Sequence, residues 1–237
     1  MKICDKFFTW GWVLKKENKL VSLASLKLSN SKYNKKPDLK GEILWVTTSG
    51  NKFFGRIDHI IQDWCGSDYF PRQTRFLNIL SPEVVKILMV RFGGRFSGFL
   101  NWKKQLTDVC PSIKTCKGEK SMLSQLQKSR LCLHDYMGTT WLETLSINFP
   151  TIVFFNMSRI KVRKSVQPYL DDLCRVKILH DSPESAANLV NEIYEDPLTW
   201  WMAPERQKVK DNFCYQFART SKNFLEEWKA ELLKLTN

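Results

Sequence analysis

The clearest structural pattern in the 237-residue chain is the stretch LCLHDYMGTTWLETLSINFPTIVFF, residues Leu131 to Phe155. Its first apolar run is short and gives way to small polar residues, which is typical of a buried strand ending in a loop. A helix-forming run follows, the Asn148-Phe149-Pro150 segment is expected to stop it, and a second β-rich run completes the stretch. This order of strand, loop, helix and strand predicts parallel strands connected by a helix.

The same alternation extends in both directions and predicts an α/β fold, a Rossmann-like parallel sheet flanked by helices. We predict this domain at residues 41–196, a helical tail that packs back on it at 197–237, and an irregular lead-in segment or linker at 1–40. The expected strands are 42–48, 86–91, 112–116, 130–134, 151–155 and 178–179. The expected helices are 69–80, 101–108, 121–128, 139–147 and 166–176, with another from 183 onward, and 92–98 is expected to be a loop.

Composition narrows the classes of function. The chain has 37 basic and 24 acidic residues, a net charge of +13, which suits a polyanionic partner or the anionic face of a membrane. We find no recognition helix or stacking platform, so specific nucleic-acid binding is not expected. The seven cysteines show no CxxC pair, which indicates reduced thiols in the cytoplasm and no metal site. No apolar run is long enough to cross a bilayer, so any membrane contact is expected to be peripheral.

The loop after the strand at 130–134 carries the residues best suited to bind a phosphate. Gly138 allows close approach of a ligand, and Thr139 and Thr140 stand where a helix begins, with its free N–H groups and positive dipole end. Glu143 lies one turn into that helix, where its carboxylate could accept two hydrogen bonds from a ribose diol. The alternative is a capping box, in which Glu143 bonds back to the N–H of the capping threonine. Local physics leaves both interpretations open.

Other candidates lie at the carboxyl ends of predicted strands, where open α/β sheets bind ligands. Arginine binds phosphate through its planar fork, but a solvent-exposed or carboxylate-paired arginine is an equally good interpretation. His134 and His180 could serve as bases, although a single histidine is more often structural. The additional candidates for the ligand site are Asp135 and Tyr136 beside Gly138, Ser49 and Gly50 after the first strand, and Arg91.

The central block resembles the carboxy-terminal domain of GT-B glycosyltransferases, in which the glutamate at the position of Glu143 holds the donor ribose. The longer span from about Trp10 to Trp228 resembles a family of surface-carbohydrate transferases from lipopolysaccharide O-antigen and capsule gene clusters. This sequence departs from that family at Met137, where a small polar residue is usual. The matching segments are Thr9–Trp12, Tyr136–Leu145, Pro150–Phe155, Gln167–Leu173, Ile178–Ala187, Trp200-Trp201 and Phe213–Ser221.

The resemblance implies a glycosyltransferase that takes a nucleotide-sugar as substrate, without a separate cofactor, and transfers the sugar to a saccharide or lipid-linked acceptor. It implies a place in the cytoplasm, at the inner face of the plasma membrane. Members of the family are longer and carry an amino-terminal Rossmann-like domain, so the chain is expected to correspond to the carboxy-terminal half, with a separately encoded amino-terminal half as partner. The alternatives are a CDP-activated polyol-phosphate transferase and an inactive donor-binding module.

Overall fold

The computed structural model describes residues 4–14, 17–30, 36–48, 68–92, 102–118 and 121–235. The described strands are β1 (Phe7–Thr9), β2 (Leu20–Ser22), β3 (Glu42–Val46), β4 (Leu88–Phe92), β5 (Lys114–Lys117), β6 (Ser129–His134), β7 (Thr151–Phe154) and β8 (Leu179–His180). The described α-helices are α1 (Leu26–Ser29), α2 (Phe70–Ile79), α3 (Pro82–Ile87), α4 (Trp102–Val109), α5 (Met122–Leu126), α6 (Thr140–Ser146), α7 (Gln167–Arg175), α8 (Pro183–Ile193), α9 (Pro197–Trp201), α10 (Pro204–Phe217) and α11 (Phe224–Leu233).

Six of these strands form one parallel sheet in the order β5-β4-β3-β6-β7-β8. The chain runs outward from β3 to β5, returns to place β6 beside β3, and then runs outward to β8. The register pairs Trp45 with Leu133 and Val46 with His134 across the central strands. This order confirms the predicted Rossmann-like sheet, and its reversal between β3 and β6 marks the place where such folds bind ligands.

Both faces of the sheet are covered by helices, which explains why its strands read as nearly continuous apolar runs. Successive strand side chains point to opposite faces. Trp45 and Leu133 lie in a core shared with α2, α3, α4 and α8. Leu44 and Cys132 lie in the opposite core with α5. A third cluster contains Val153 of β7 and apolar side chains of α6, α7 and α10.

Serine caps start four of the helices. Ser25, Ser81, Ser121 and Ser182 each accept a hydrogen bond from the backbone N–H three residues later. The Ser81-Pro82 start gives α3, a helix that the sequence analysis did not predict, so the strand expected at 86–91 begins only at Leu88. Most other elements agree with the prediction to within a few residues.

The expectation that residues 1–40 are irregular is wrong for the part that the structure describes. There β1 and β2 form a parallel pair, followed by α1. This segment packs against the end of the chain: Ser25 N–H donates to the Arg219 carbonyl at 2.8 Å, and Arg219 N–H donates to the Trp10 carbonyl at 3.0 Å. Trp228 Nε1 also donates to the Ala24 carbonyl at 2.8 Å. The lead-in segment is therefore bound to the tail.

Gly11 shows why the chain can run so close to the tail. Its φ is +131°, and a Cβ at this position would lie 2.3 Å from the carbonyl oxygen of Tyr215. Only glycine adopts this conformation without strain and leaves room for the neighbouring backbone. Residues Thr9–Trp12 thus pack the lead-in segment against the end of α10.

Candidate functional site

The candidate site lies at the carboxyl ends of β3 and β6, where the strand order reverses. Thr47 and Thr48 follow β3, and both are buried. Asp135 to Gly138 follow β6 and lead into α6. Ser49 and Gly50, which the sequence analysis placed in the site, lie outside the described residues. The topology therefore brings the loop after β6 next to the end of β3.

Asp135 is the centre of a buried hydrogen-bond network under this edge. It is only 3% exposed, and its Oδ2 accepts hydrogen bonds from Trp45 Nε1 at 3.1 Å, Tyr69 OH at 2.9 Å and Gln73 Nε2 at 2.6 Å. The Tyr69 oxygen in turn accepts the N–H of Thr48 at 3.2 Å. Through Tyr69, the Asp135 carboxylate therefore connects the end of β6 to the end of β3. Because the carboxylate is buried, it fits a role in positioning the loop better than direct contact with a ligand.

Burial also changes the acidity of this carboxyl group. Loss of water raises the pKa of Asp135 to about 7, although the hydrogen bonds from Gln73, Tyr69 and Trp45 oppose the increase. Among the described residues, Asp135 Oδ1 and Gln73 Oε1 have no hydrogen-bond partner. Both residues line a small cavity next to Asn156.

Gly138 is required by its neighbour Tyr136. A Cβ at position 138 would lie 2.2 Å from Cε1 of the Tyr136 ring, and Gly138 N–H donates to the Tyr136 carbonyl at 3.0 Å. Tyr136 itself is half-buried and packs against the core on the α2 side. This glycine is predicted from the sequence to allow close approach of a ligand, and in the structure it makes room for the tyrosine ring.

The start of α6 differs from the capping box considered as an alternative. Thr139 is the N-cap residue, but within the described residues its side chain makes no capping hydrogen bond. Glu143 does not bond back to the helix start either: its carboxylate, 18% exposed, pairs with the ammonium group of Lys27 in α1. The capping-box interpretation is therefore wrong, and Glu143 lies between α6 and the lead-in segment.

The Thr140 hydroxyl points inward to His134. It lies 3.4 Å from His134 Nδ1, and His134 Nε2 lies 3.2 Å from the hydroxyl of Thr144. Burial lowers the pKa of His134 to about 3, so the ring is neutral at ordinary pH. His134 therefore joins β6 to α6 through the hydroxyl groups of Thr140 and Thr144.

His180 is also structural. Its Nε2 lies 3.0 Å from the Lys177 carbonyl and its Nδ1 lies 2.8 Å from the Ser185 hydroxyl, so both ring nitrogens are used between β8 and α8. Burial lowers its pKa to about 4. Neither of these two histidines has the exposure or the acidity expected of a general base.

Arg91 lies within β4 rather than beyond its end. Its guanidinium group binds the side-chain oxygen of Gln125 in α5, and its carbonyl accepts the Thr47 N–H at 3.0 Å. The loop expected at 92–98 lies outside the described residues from position 93 onward. Four exposed basic residues follow β7: Arg159, Lys161, Arg163 and Lys164.

Four participants were not predicted from the sequence: Lys27, Trp45, Tyr69 and Gln73. Tyr69 and Gln73 are four residues apart on the first turns of α2, and this spacing places them on one helix face. That spacing alone gives no indication of the Asp135 carboxylate more than sixty residues away. Lys27 stands in a segment that was expected to be irregular, so its pairing with Glu143 could not be predicted.

Within the described ranges, no three His, Cys, Asp or Glu side chains are grouped so that they could hold a metal ion. No described helix is both long enough and apolar enough to span a membrane.

Comparisons with known proteins place the chain in a family. Residues 1–232 match the family described as LIC12162 family transferase. No protein of curated function matches the sequence. Because the family match covers nearly the whole chain, the chain belongs to the LIC12162 family of transferases.

Two solved structures show a distant similarity. The NMR solution structure of ALG13 matches with a TM-score of 0.43 and 12% identity, over 76% of this chain and 98% of that one. The crystal structure of WaaG, a glycosyltransferase involved in lipopolysaccharide biosynthesis, matches with a TM-score of 0.39 and 16% identity, over 90% of this chain. The match covers 55% of the WaaG chain, about half of its length.

Proposed function

We propose that this member of the LIC12162 family of transferases is a glycosyltransferase that binds a nucleotide-sugar at the edge between β3 and β6. The observation that carries the proposal is the reversal of strand order there, because the loop that leaves β6 contains Gly138, Thr139 and Thr140. Open α/β sheets bind nucleotides at such a reversal, outside the carboxyl ends of the strands. The motif resemblance described above supports the assignment to sugar transfer.

In this proposal the diphosphate of the donor contacts the loop before α6. The backbone N–H groups from Gly138 to Thr140 would donate to phosphate oxygens, and the exposed Thr139 hydroxyl would add a further donor. The basic residues at 159–164 lie after the neighbouring strand and would offset negative charge on the departing nucleoside diphosphate. These groups stabilise the charge that develops as the bond to the sugar breaks.

Glu143 is proposed to accept hydrogen bonds from the two ribose hydroxyls. Its carboxylate is already fixed by Lys27, so it is held in place before a ligand arrives. A fixed carboxylate loses less side-chain entropy when it binds a diol. The Lys27 ammonium group would in addition attract the negatively charged nucleotide.

The remaining site residues have narrower proposed roles. Asp135 and Tyr136 are proposed to position the loop after β6. The Asp135 carboxylate accepts three hydrogen bonds, and the Tyr136 ring packs against Gly138. Arg91 is proposed to support the same edge through Gln125 and Thr47. Ser49 and Gly50 are still predicted to contact the donor.

The wider role proposed is synthesis of a bacterial surface polysaccharide, such as lipopolysaccharide O-antigen or capsule, on the cytoplasmic side of the membrane. The acceptor would be a saccharide or a lipid-linked saccharide, and a separately encoded amino-terminal domain is a proposed partner. The motif resemblance supports this role, and the family match supports transfer chemistry.

Calorimetric titration of the full chain with UDP, GDP and CDP tests the proposal. We expect one nucleotide to bind, and the amide resonances of Gly138, Thr139 and Thr140 to shift in the ¹H–¹⁵N spectrum as it does. Exclusive binding of CDP would favour transfer of a polyol phosphate over transfer of a sugar. If none of the three nucleotides binds at millimolar concentration, or if the shifts occur elsewhere, the proposed donor site is wrong.

A further inference from the structure

A second cleft opens beside α6, away from the start of that helix. It has a volume of about 370 Å³ and lies between the end of α6, the second half of α10 and the residues from Ala218 to Glu227 that lead into α11. Ser146 lines it from α6 and stands six residue steps beyond Thr140, so a rise of roughly 9 Å separates the cleft from the helix start. Its volume lies within the range of ligand pockets, about 300 to 1,000 Å³.

The charges in this cleft occur in matched pairs. Lys210 Nζ lies 2.5 Å from Asp211 Oδ1, and the Lys210 side chain is only 7% exposed. Arg219 lies 3.4 Å from Glu227. The described residues that line the cleft thus contribute two cations and two carboxylates, so their formal charges cancel. A neutral lining gives no net attraction to a polyanion such as nucleic acid or a nucleotide diphosphate.

The same lining is well suited to a neutral ligand with many hydroxyl groups. A hydroxyl both donates and accepts, so neighbouring hydroxyls can donate to Asp211 or Glu227 while accepting from Lys210 or Arg219. The ring of Tyr215, a residue that is 67% exposed, stands at the cleft as an apolar surface, with the Arg219 Cζ 6.0 Å from its centroid. Exposed aromatic rings beside paired charges suit the two surfaces of a sugar, the apolar C–H face and the polar rim.

We propose that this cleft binds a neutral saccharide next to the proposed nucleotide site, one helical turn beyond Glu143. Lys210, Asp211, Arg219 and Glu227 bind its hydroxyl groups, and Tyr215 packs against a sugar ring. The binding itself requires only the cleft. The further assignment of the bound saccharide to the acceptor glycan rests on the proposed glycosyltransferase function. On that assignment, α6 carries the donor site at its start and an acceptor subsite at its end.

The test uses the full chain, labelled with ¹⁵N, and titrates it with glucose, galactose, N-acetylglucosamine, maltose and chitobiose. We expect at least one saccharide to shift the amide resonances of Ser146 and Tyr215 while leaving those of Gly138 and Thr139 in place. Tyr215→Ala should weaken that binding by about three- to tenfold, the loss expected for one stacked aromatic ring. The matched control is Leu225→Ala, since Leu225 is 64% exposed on α11 but does not line the cleft.

Three results would overturn the proposal: no saccharide shifts the cleft resonances, Tyr215→Ala binds as tightly as the wild type, or inorganic phosphate shifts Ser146 and Tyr215 more strongly than any sugar. The last result would assign an anion to the cleft. Because nucleotide binding is read at Gly138 and Thr139, loss of the saccharide site and loss of the proposed donor site give different spectra.

Discussion

The ammonium group of Lys27 forms a salt bridge with the carboxylate of Glu143, although 116 residues separate the two in sequence. Lys27 comes from α1 in the lead-in segment, and Glu143 comes from α6 at the edge of the parallel sheet. The Lys27 side chain is 62% exposed and that of Glu143 is 18% exposed. The lead-in segment therefore supplies one side of the proposed ribose site, and the α/β domain supplies the other.

Removal of the Lys27 charge should affect nucleotide binding more than stability. An exposed ion pair contributes at most about 1 kcal/mol to the free energy of unfolding, so Lys27→Met should change it little. The same change removes a cation beside the proposed nucleotide site and leaves the Glu143 side chain free to change rotamer. We therefore expect the affinity for the nucleotide to fall about threefold at low salt and by less at high salt, where charges are screened. Calorimetry at two ionic strengths measures this.

Lys104→Met is the matched control, because the Lys104 side chain is also 62% exposed and also paired with a carboxylate, that of Asp108. Tighter nucleotide binding by Lys27→Met would show that Lys27 competes with the ligand for Glu143 instead of holding the carboxylate in place.

Asp135 should make the protein less stable as the pH rises. Its folded-state pKa, about 7, is raised above the ordinary value of 3.8, so between these values the folded state holds a proton that the unfolded state has lost. The free energy of unfolding of the wild type relative to Asp135→Asn should therefore decrease from pH 4 to pH 7, by an amount on the order of 1 to 4 kcal/mol. Urea unfolding at several pH values measures this difference.

The control for this experiment is Asp108→Asn, because the Asp108 side chain is 59% exposed and, within the described part of the chain, pairs only with the exposed side chain of Lys104. If the free energy of unfolding of the wild type ran parallel to that of Asp135→Asn over the whole pH range, Asp135 would not retain a proton in the core and the account would be contradicted.

His134 and His180 should stay neutral well below their ordinary range. Their pKa values are lowered to about 3 and about 4, so below pH 6.5 the unfolded state binds protons that the folded state excludes. Stability from these groups is complete above pH 6.5 and is lost as the pH falls towards 3. In the folded protein, the ring C–H resonances of both histidines should not titrate between pH 8 and pH 5. A midpoint near 6.5 for either ring would disprove its burial.

Gly138→Ala should destabilise the loop because of Tyr136. The added methyl group would meet the tyrosine ring at 2.2 Å, and such overpacking costs about 1 to 3 kcal/mol. The cost should shrink by about 1 kcal/mol or more when Tyr136 is also changed to alanine, because the two residues are in contact. Thermal unfolding of the four proteins in this cycle gives the coupling. Additive effects would mean that the glycine is needed for another reason.

The sheet could be predicted from the sequence because its central strands are buried on both faces. The apolar runs of β3, β6 and β7 and the serine and proline residues at the helix starts are local features, and local features define local structure. The helix stop at Asn148 is of the same kind: it takes a φ of +56° just after α6, as a residue that ends a helix often does.

The lead-in segment and the base of the site could not be predicted in this way. β1 and β2 have three residues each, too few to show a period, and what holds them is contact with residues near Arg219 and Trp228. Tyr69, Gln73 and Asp135 likewise come together only in the folded chain. Such contacts between distant parts of a single sequence leave no local pattern.

The most direct test of the central claim compares the ribonucleoside diphosphate that binds best with its 2′-deoxy form. If the Glu143 carboxylate binds the ribose hydroxyls, removal of one hydroxyl should weaken binding to the wild type about tenfold or more, since a hydrogen bond to a charged group contributes about 1.5 to 3 kcal/mol. Glu143→Ala should bind both forms equally, whereas Glu192→Ala, an exposed glutamate on α8, should discriminate like the wild type. Equal binding of both forms by the wild type, or undiminished discrimination by Glu143→Ala, would contradict the account.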